Sequence, residues 1–458
     1  MSVAATRWLW DAGVRPGTTV AWQLPSHVMA AVVMLALSRM HVTQAPVLHL
    51  YRRREVRTAL DVADADILLA DKSTADNAPG GIPTVVIPDD FLRQLPTVPG
   101  PHFEPDGLRT ATDPRWVYFT SGTTGRPKGV VHTDATLLTA SRGYVAHLGL
   151  GDHPQEVGTI AFPIAHVGGM VYLAAALLAD FPVLLVPKVS AESLPRLLAE
   201  HQVTVTGAST AFYQMLVAAQ IDAKTTELLM PSLRMLIGGG AACPPEVHRQ
   251  VRRHLRIPVV HAYGMTEAPM VCVSECTDTD EQLTNSAGRP IPGSHVRVGP
   301  TGEIELRGGN LTAGYVDAEQ WGRALTADGW FRTGDRGHLR PDDRIVVTGR
   351  TKDLIIRKGE NIAPDEIENE LLAHPLVDEI AVLGQPDEQR GELVCAVVRR
   401  SRQHRDVTLA ELCRFLDDRG LMKQKWPERL VIVDEFPLTG LGKVAKSELA
   451  RQIAGGPR

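Results

Sequence analysis

The 458-residue chain has only five cysteines, too few to make a disulfide framework. Cys272 and Cys276 stand four apart, with no second Cys or His pair near them at zinc spacing. They are expected to be small apolar residues in a reducing compartment. The chain does not open with a basic segment, an apolar core and a cleavage site, so no secretory signal is expected. The longest early apolar run, Val28 to Leu37, is too short to span a bilayer. Flanked by Ser26 and Ser38-Arg39, it suits a buried helix with Ser26 as its N-cap. The net charge is small as well. Lys and Arg total 48 against 53 Asp and Glu, a net charge of −5, which gives no reason to expect a nucleic-acid or anionic-membrane partner. The expectation is a cytoplasmic protein without an integral membrane segment.

What is present is ample apolar material. Hydrophobic residues make up 44% of the chain and charged residues 22%, a soluble globular composition that excludes general disorder. The length suggests roughly two to four domain-sized units. Short apolar runs read as strands: Thr19 to Leu24, Ile67 to Leu69, Thr84 to Ile87, Trp116 to Phe119, Thr159 to Phe162, Val183 to Val186, Val203 to Val205 and Met235 to Ile237. Helical stretches separate them, one of them near Asp134. Continuous apolar strands alternating with helices predict an α/β fold with parallel-rich sheets covered on both faces. In such sheets ligands sit at the carboxyl ends of strands. After about Ile291 the pattern changes to polar–apolar alternation with Gly-rich turns, as in Gly302 to Leu306 and Arg344 to Val347, which predicts short antiparallel strands. From about Lys352 a mixture of strands and helices suits a small α+β domain.

The densest motif runs from Tyr118 through Thr120-Ser121-Gly122-Thr123-Thr124-Gly125 to Lys128-Gly129. Glycines let backbone N–H groups approach an anion, hydroxyls add donors, and Lys128 puts a positive charge where a polyphosphate would lie. The spacing is not that of a Walker A loop. A flexible surface turn would not need twelve such ordered positions.

This loop resembles the signature loop of the adenylate-forming superfamily, which includes acyl-CoA synthetases, adenylation domains and beetle luciferases. Further motifs match over nearly the whole chain, most closely in the pattern of medium-chain, alicyclic and aromatic acyl-CoA ligases. The resemblance implies that the loop holds the pyrophosphate end of ATP. Gly238-Gly239-Gly240 after an apolar strand suits a flat adenine ring, and Tyr263-Gly264-Met265-Thr266-Glu267 resembles the second nucleotide motif. By that resemblance Tyr263 stacks on adenine, Thr266 touches the α-phosphate and Glu267 helps hold Mg²⁺, as a carboxylate suits a hard cation. Asp335 would take the ribose diol and Arg350 a second nucleotide-sugar contact. Taken singly, Glu267, Asp335 or Arg350 would read as a solvated or structural residue.

The same resemblance implies two domains, residues 1–351 with the nucleotide and acyl sites and 352–458 as a small mobile α+β domain. The large domain would include a β-barrel-like part. Lys352 matches the hinge, Gly359 the passage for the CoA arm, and Lys443 the lysine that stabilises charge in adenylation. Only ten of the 48 basic residues are Lys, so Lys128, Lys352 and Lys443 falling on motif positions is not chance. His166, Val167, Gly168 and Thr210 lie in mostly apolar stretches matching the acyl pocket, although a lone His among apolar residues is more often a core residue. Cys243 reads as a core or pocket residue and not as a nucleophile.

The expected activity is an ATP-, Mg²⁺- and CoA-dependent ligase for a hydrophobic monocarboxylic acid. No acidic residue in the pocket stretches stands ready to pair an α-amino group. Two alternatives are a stand-alone adenylating enzyme loading a carrier protein or another nucleophile, and a nucleotide-binding regulator without turnover. The chain starts close to its first strand, so a few tens of residues common in relatives are expected to be missing. Leu441 replaces a small polar residue before Gly442-Lys443.

Overall fold

The computed structural model describes residues 1–96, 110–120, 127–240, 243–357, 360–387, 391–401, 405–439 and 444–454, apart from the side chains of Lys352, Glu360, Asn361 and Ala454. Two seven-stranded sheets form the bulk of the molecule. In the first, Thr19–Gln23 lies parallel between Thr43–Pro46 and Ile67–Asp71. Thr84–Ile87 extends one side, and Pro114–Thr120 extends the other, also in parallel. In the second, Val183–Leu185, Gly158–Ile160, Val205–Thr206, Met235–Gly239 and Val259–Met265 run parallel in that order. The apolar strands predicted from the sequence therefore sit in α/β sheets, one core running continuously from Ala5 to Ile345 through both.

Antiparallel strands finish both sheets. Lys128–Thr133 folds back on Pro114–Thr120, and Gly314–Tyr315 then pairs with it. The sequence pattern predicts a loop leading straight to a helix at this point. The structure inserts a strand whose first residue, Lys128, is the register partner of Thr120. Only then does Thr133 cap the helix Asp134–Leu148. In the second sheet, Ala268–Val273 turns back on Val259–Met265.

The region of polar–apolar alternation forms a four-stranded antiparallel sheet in the order Ser294–Val298, Glu303–Gly308, Phe331–Leu339, Ile345–Arg350. Buried Arg344, which pairs with Asp278 and Asp342, ties it to the loop before Asp280–Asn285. A fourth sheet, from Ile355–Arg357 to Arg429–Val433, has its own core around Ile367, Val382 and Val394.

Ser26 departs from its predicted role. His27 is the N-cap of Val28–Arg39 and makes no side-chain cap bond. The Ser26 hydroxyl instead donates to the Phe162 carbonyl, 2.8 Å, and accepts from the Ile164 N–H, 2.9 Å. It pins the first sheet's loop to the segment leading to His166, because its two lone pairs and one proton find better-placed partners there. Cys272 is buried as expected, whereas Cys276 is exposed, its sulfur 3.2 Å from that of Met235. Among the described residues no helix is long and apolar enough to cross a membrane.

Candidate active site

The strands Met235–Gly239 and Val259–Met265 end side by side, with Gly239 in register with Ala262. A Cβ on Gly239 would stand 2.1 Å from the Ala262 carbonyl oxygen, and one on Gly238 2.2 Å from that of Ala208. These two glycines are thus demanded by the neighbouring backbone. Gly240 follows at φ +81°, a left-handed turn that carries the chain off the sheet.

Beyond Ala262 the strand delivers Tyr263, Gly264 and Met265, and the turn Thr266-Glu267 reverses it. The buried Tyr263 hydroxyl donates to Asp335 Oδ2 at 2.9 Å. Arg350, paired with Asp335 across the antiparallel sheet, donates through Nε to Oδ1 at 2.8 Å. Three predicted residues from two sheets therefore form one hydrogen-bonded group. Burial raises the Asp335 carboxyl above its usual range, with Arg350 and Tyr263 opposing the shift.

Glu267 is held from two sides. Its carbonyl accepts the Thr312 N–H at 2.7 Å. Its Oε1 accepts the Tyr315 hydroxyl at 2.8 Å. Burial, then the Glu267 charge, push the Tyr315 phenol well up, so it stays a donor. The ring of the same tyrosine carries Lys128, whose Nζ lies 4.7 Å from its centroid. The Thr266 carbonyl is 2.7 Å from Nε2 of His132. Burial holds the His132 imidazole down at about 4. The neutral ring donates through Nε2 to the carbonyl and accepts from Thr136 Oγ1, 2.9 Å away, at Nδ1.

His132, Thr312 and Tyr315 were not singled out by the sequence. His132 sits in a short strand whose burial does not alternate and Tyr315 in a two-residue strand, so neither periodicity nor spacing marks them.

His166 is the N-cap of Val167–Leu178, its Nδ1 accepting the Gly168 N–H at 3.2 Å. The proton is therefore on Nε2. Phe162 meets the ring edge-on at 6.5 Å. Thr210 opens the helix Thr210–Asp222. Burial pushes the nearby Cys243 thiol up to about 12, with a Thr210 hydrogen bond opposing, which suits a residue that is not a nucleophile. Thr120 lies in its strand beside Lys128. Ser121, Gly122, Thr123, Thr124, Gly125, Gly359 and Lys443 lie outside the described residues. The backbone of Lys352 forms part of the single turn Thr351–Asp353.

Among the described residues no three His, Cys, Asp or Glu side chains gather into a metal cage. Glu267 alone, one oxygen held by a phenol and no described residue bonding the other, suits a divalent cation that arrives with phosphates. In enzymes generally, Mg²⁺ is held through one or two carboxylates together with substrate phosphates.

A large α/β body with a small α+β domain and these clustered strand ends defines an adenylate-forming enzyme. Residues 2–316 match the family described as AMP-binding enzyme, and residues 366–443 its C-terminal domain. The chain belongs to the AMP-binding enzyme family. It is 33% identical over 347 residues to a 2-succinylbenzoate–CoA ligase of Bacillus cereus, covering 74% of this chain and 70% of that one. A medium-chain fatty-acid–CoA ligase of Escherichia coli is 28% identical over 479 residues, 97% and 83% of the two chains. Among solved structures, ATP-bound MatB from Rhodopseudomonas palustris superposes with a TM-score of 0.88 at 28% identity. That match covers 99% of this chain and 92% of MatB.

Proposed function

We propose that the protein adenylates a hydrophobic monocarboxylic acid with ATP and transfers the acyl group to the thiol of CoA. It is an AMP-forming acyl-CoA synthetase using ATP, Mg²⁺ and CoA. The observation that carries the reading is the joining of Tyr263, Asp335 and Arg350 into one group at the strand that leads to the Glu267 turn. In the first step a carboxylate oxygen attacks the α-phosphorus and the bond to pyrophosphate breaks. In the second the CoA thiolate, its proton released to solvent, attacks the acyl carbon and AMP leaves with the bonding pair.

Bound Mg²⁺ supplies charge neutralisation on the phosphate oxygens. Glu267 would hold it and Thr266 would contact the α-phosphate. Thr120, Ser121, Gly122, Thr123, Thr124, Gly125 and Lys128 would cradle the pyrophosphate end. Gly238, Gly239, Gly240, Tyr263 and Gly264 would bound the adenine, with Asp335 and Arg350 on the sugar. Lys443 would stabilise the charge that develops on the α-phosphate. We divide the chain at 351/352, where the turn Thr351–Asp353 separates the third sheet from the fourth. Lys352 would be the hinge between the two halves, and Gly359 would flank the pantetheine arm.

A hydrophobic acid is favoured by the acyl-pocket stretches. Ile164, Ala165 and Val167 are buried around His166, and Phe212 follows Thr210. His166 with its proton on Nε2, Val167, Gly168 and Thr210 would line that pocket. The described cysteines are all free, which supports a cytoplasmic site of action. The test is pyrophosphate release from a panel of aliphatic and aromatic acids, with CoA, with a carrier protein and with neither, products read by mass spectrometry. Acyl-CoA from an apolar acid is expected. Release with every acid but no thioester would point to another acceptor, and no release would overturn the reading.

A further inference from the structure

We propose that Tyr315 is a positioning residue that couples Lys128 to Glu267, its ring seating the ammonium and its hydroxyl orienting the carboxylate. This rests on the ligase reading above. The observations are independent of one another. Lys128 Nζ lies 4.7 Å from the ring centroid, within range of a cation–π attraction. The hydroxyl donates to Glu267 Oε1 at 2.8 Å, a charge-assisted bond that leaves Oε2 for a cation.

The backbone is built to bring this about. Gly314–Tyr315 pairs with Val130 and Val131 of the Lys128 strand, and the Val316 N–H donates to the Gly129 carbonyl at 2.8 Å. A Cβ on Gly129 would meet Val316 Cγ2 at 2.7 Å and Val62 Cγ1 at 2.9 Å. The glycine after Lys128 therefore lets the tyrosine segment lie close against its strand. Behind Tyr315, Trp321 packs edge-on at 5.4 Å and stacks in turn on Phe331, at the start of the strand that bears Asp335. Tyr315 is 7% exposed and its ring is packed against Trp321, so its two ends hold their partners at a fixed spacing. A cation and an anion that act on one polyphosphate need such a spacer, because their direct pairing would cancel both.

The two halves of the role separate in substitution. Tyr315→Phe keeps the ring and removes the hydroxyl, whereas Tyr315→Leu removes both. Calorimetric titration of the full chain with ATP in EDTA reads the Lys128 contact. The Mg²⁺ concentration that half-saturates ATP binding reads the Glu267 contact. For Tyr315→Phe, ATP affinity in EDTA should stay within about twofold while the Mg²⁺ requirement rises about tenfold, the usual scale for losing a partner of a metal-ligating carboxylate. Tyr315→Leu should shift both. In a Glu267→Gln background Tyr315→Phe should add nothing further.

An unchanged Mg²⁺ requirement in Tyr315→Phe, equal shifts of both readouts in the two variants, or full additivity with Glu267→Gln would overturn the proposal. If Tyr315→Leu loses its cooperative melt, Tyr315→Phe and its cycle with Glu267→Gln decide the matter. Failure of the wild-type chain to bind ATP would count against the ligase reading instead.

Discussion

Nε2 of His132 lies 2.7 Å from the carbonyl oxygen of Thr266, a residue 134 positions away in sequence. One end of the contact is in the strand that begins with Lys128. The other is in the turn that presents Glu267. It joins the first sheet to the second at the point where the site residues gather.

His132→Gln should act on both stability and activity. His132 is 0% exposed, and losing its fit leaves the Thr266 carbonyl without its ring donor, at about 1–3 kcal/mol. The histidine is also a source of acid sensitivity. Burial holds it at about 4 against 6.5 unfolded, so the unfolded chain takes up the proton first. Its contribution is complete above 6.5 and is lost as pH falls towards 4, a total of about 3 kcal/mol. Urea unfolding across that range should give a flatter pH profile in the Gln variant. An unchanged slope would refute the assignment.

Asp335→Ala removes the common acceptor of Tyr263 and Arg350. ATP affinity should fall at least about tenfold, since charge-assisted bonds of this type are worth about 1.5–3 kcal/mol. Asp335→Asn should fall between the two, because one amide oxygen can still accept. Equilibrium ATP binding checks the order, and equal affinity in all three proteins would contradict it.

Gly239→Ala puts a methyl 2.1 Å from the Ala262 carbonyl oxygen, backbone that cannot swing aside. The two parallel strands must part, at about 1–3 kcal/mol by the usual scale of overpacking. Thermal melting should register the loss, and pyrophosphate release should fall further than melting alone explains. A melting temperature equal to wild type would mean the strands part freely.

Lys443→Ala should abolish adenylate formation yet spare thioester formation from a supplied acyl-adenylate. The lysine is proposed to act only on charge that develops at the α-phosphate. Single-turnover assays of each half-reaction decide it. Equal loss of both would remove the division of labour between the steps.

Much of this was legible in the linear order of residues. The run Met235 to Ile237 is apolar and short, and it became a central parallel strand. The alternation at Gly302 to Leu306 became an antiparallel strand. Other features were not legible. Lys128-Gly129-Val130-Val131 reads as the end of a loop before a helix, and only its pairing with Pro114–Thr120 makes it a strand. Ser26 has the chemistry of a helix cap, but the loop at Phe162 and Ile164, more than a hundred residues on, claims its hydroxyl.

Fold class, family and the residue types that can handle a nucleotide could be read from the linear chain, because periodicity and motif spacing are local properties. Tertiary structure alone decided that Tyr263, Asp335 and Arg350 share their hydrogen bonds, that His132 supports Thr266, and that Tyr315 stands between Lys128 and Glu267. Three of these contacts, Tyr263–Asp335, His132–Thr266 and Tyr315–Glu267, cross from sheet to sheet, and the other two join strands that only the fold pairs. A side chain's partner at such distances in sequence is set by packing and by the need to satisfy buried polar groups, which no local pattern encodes.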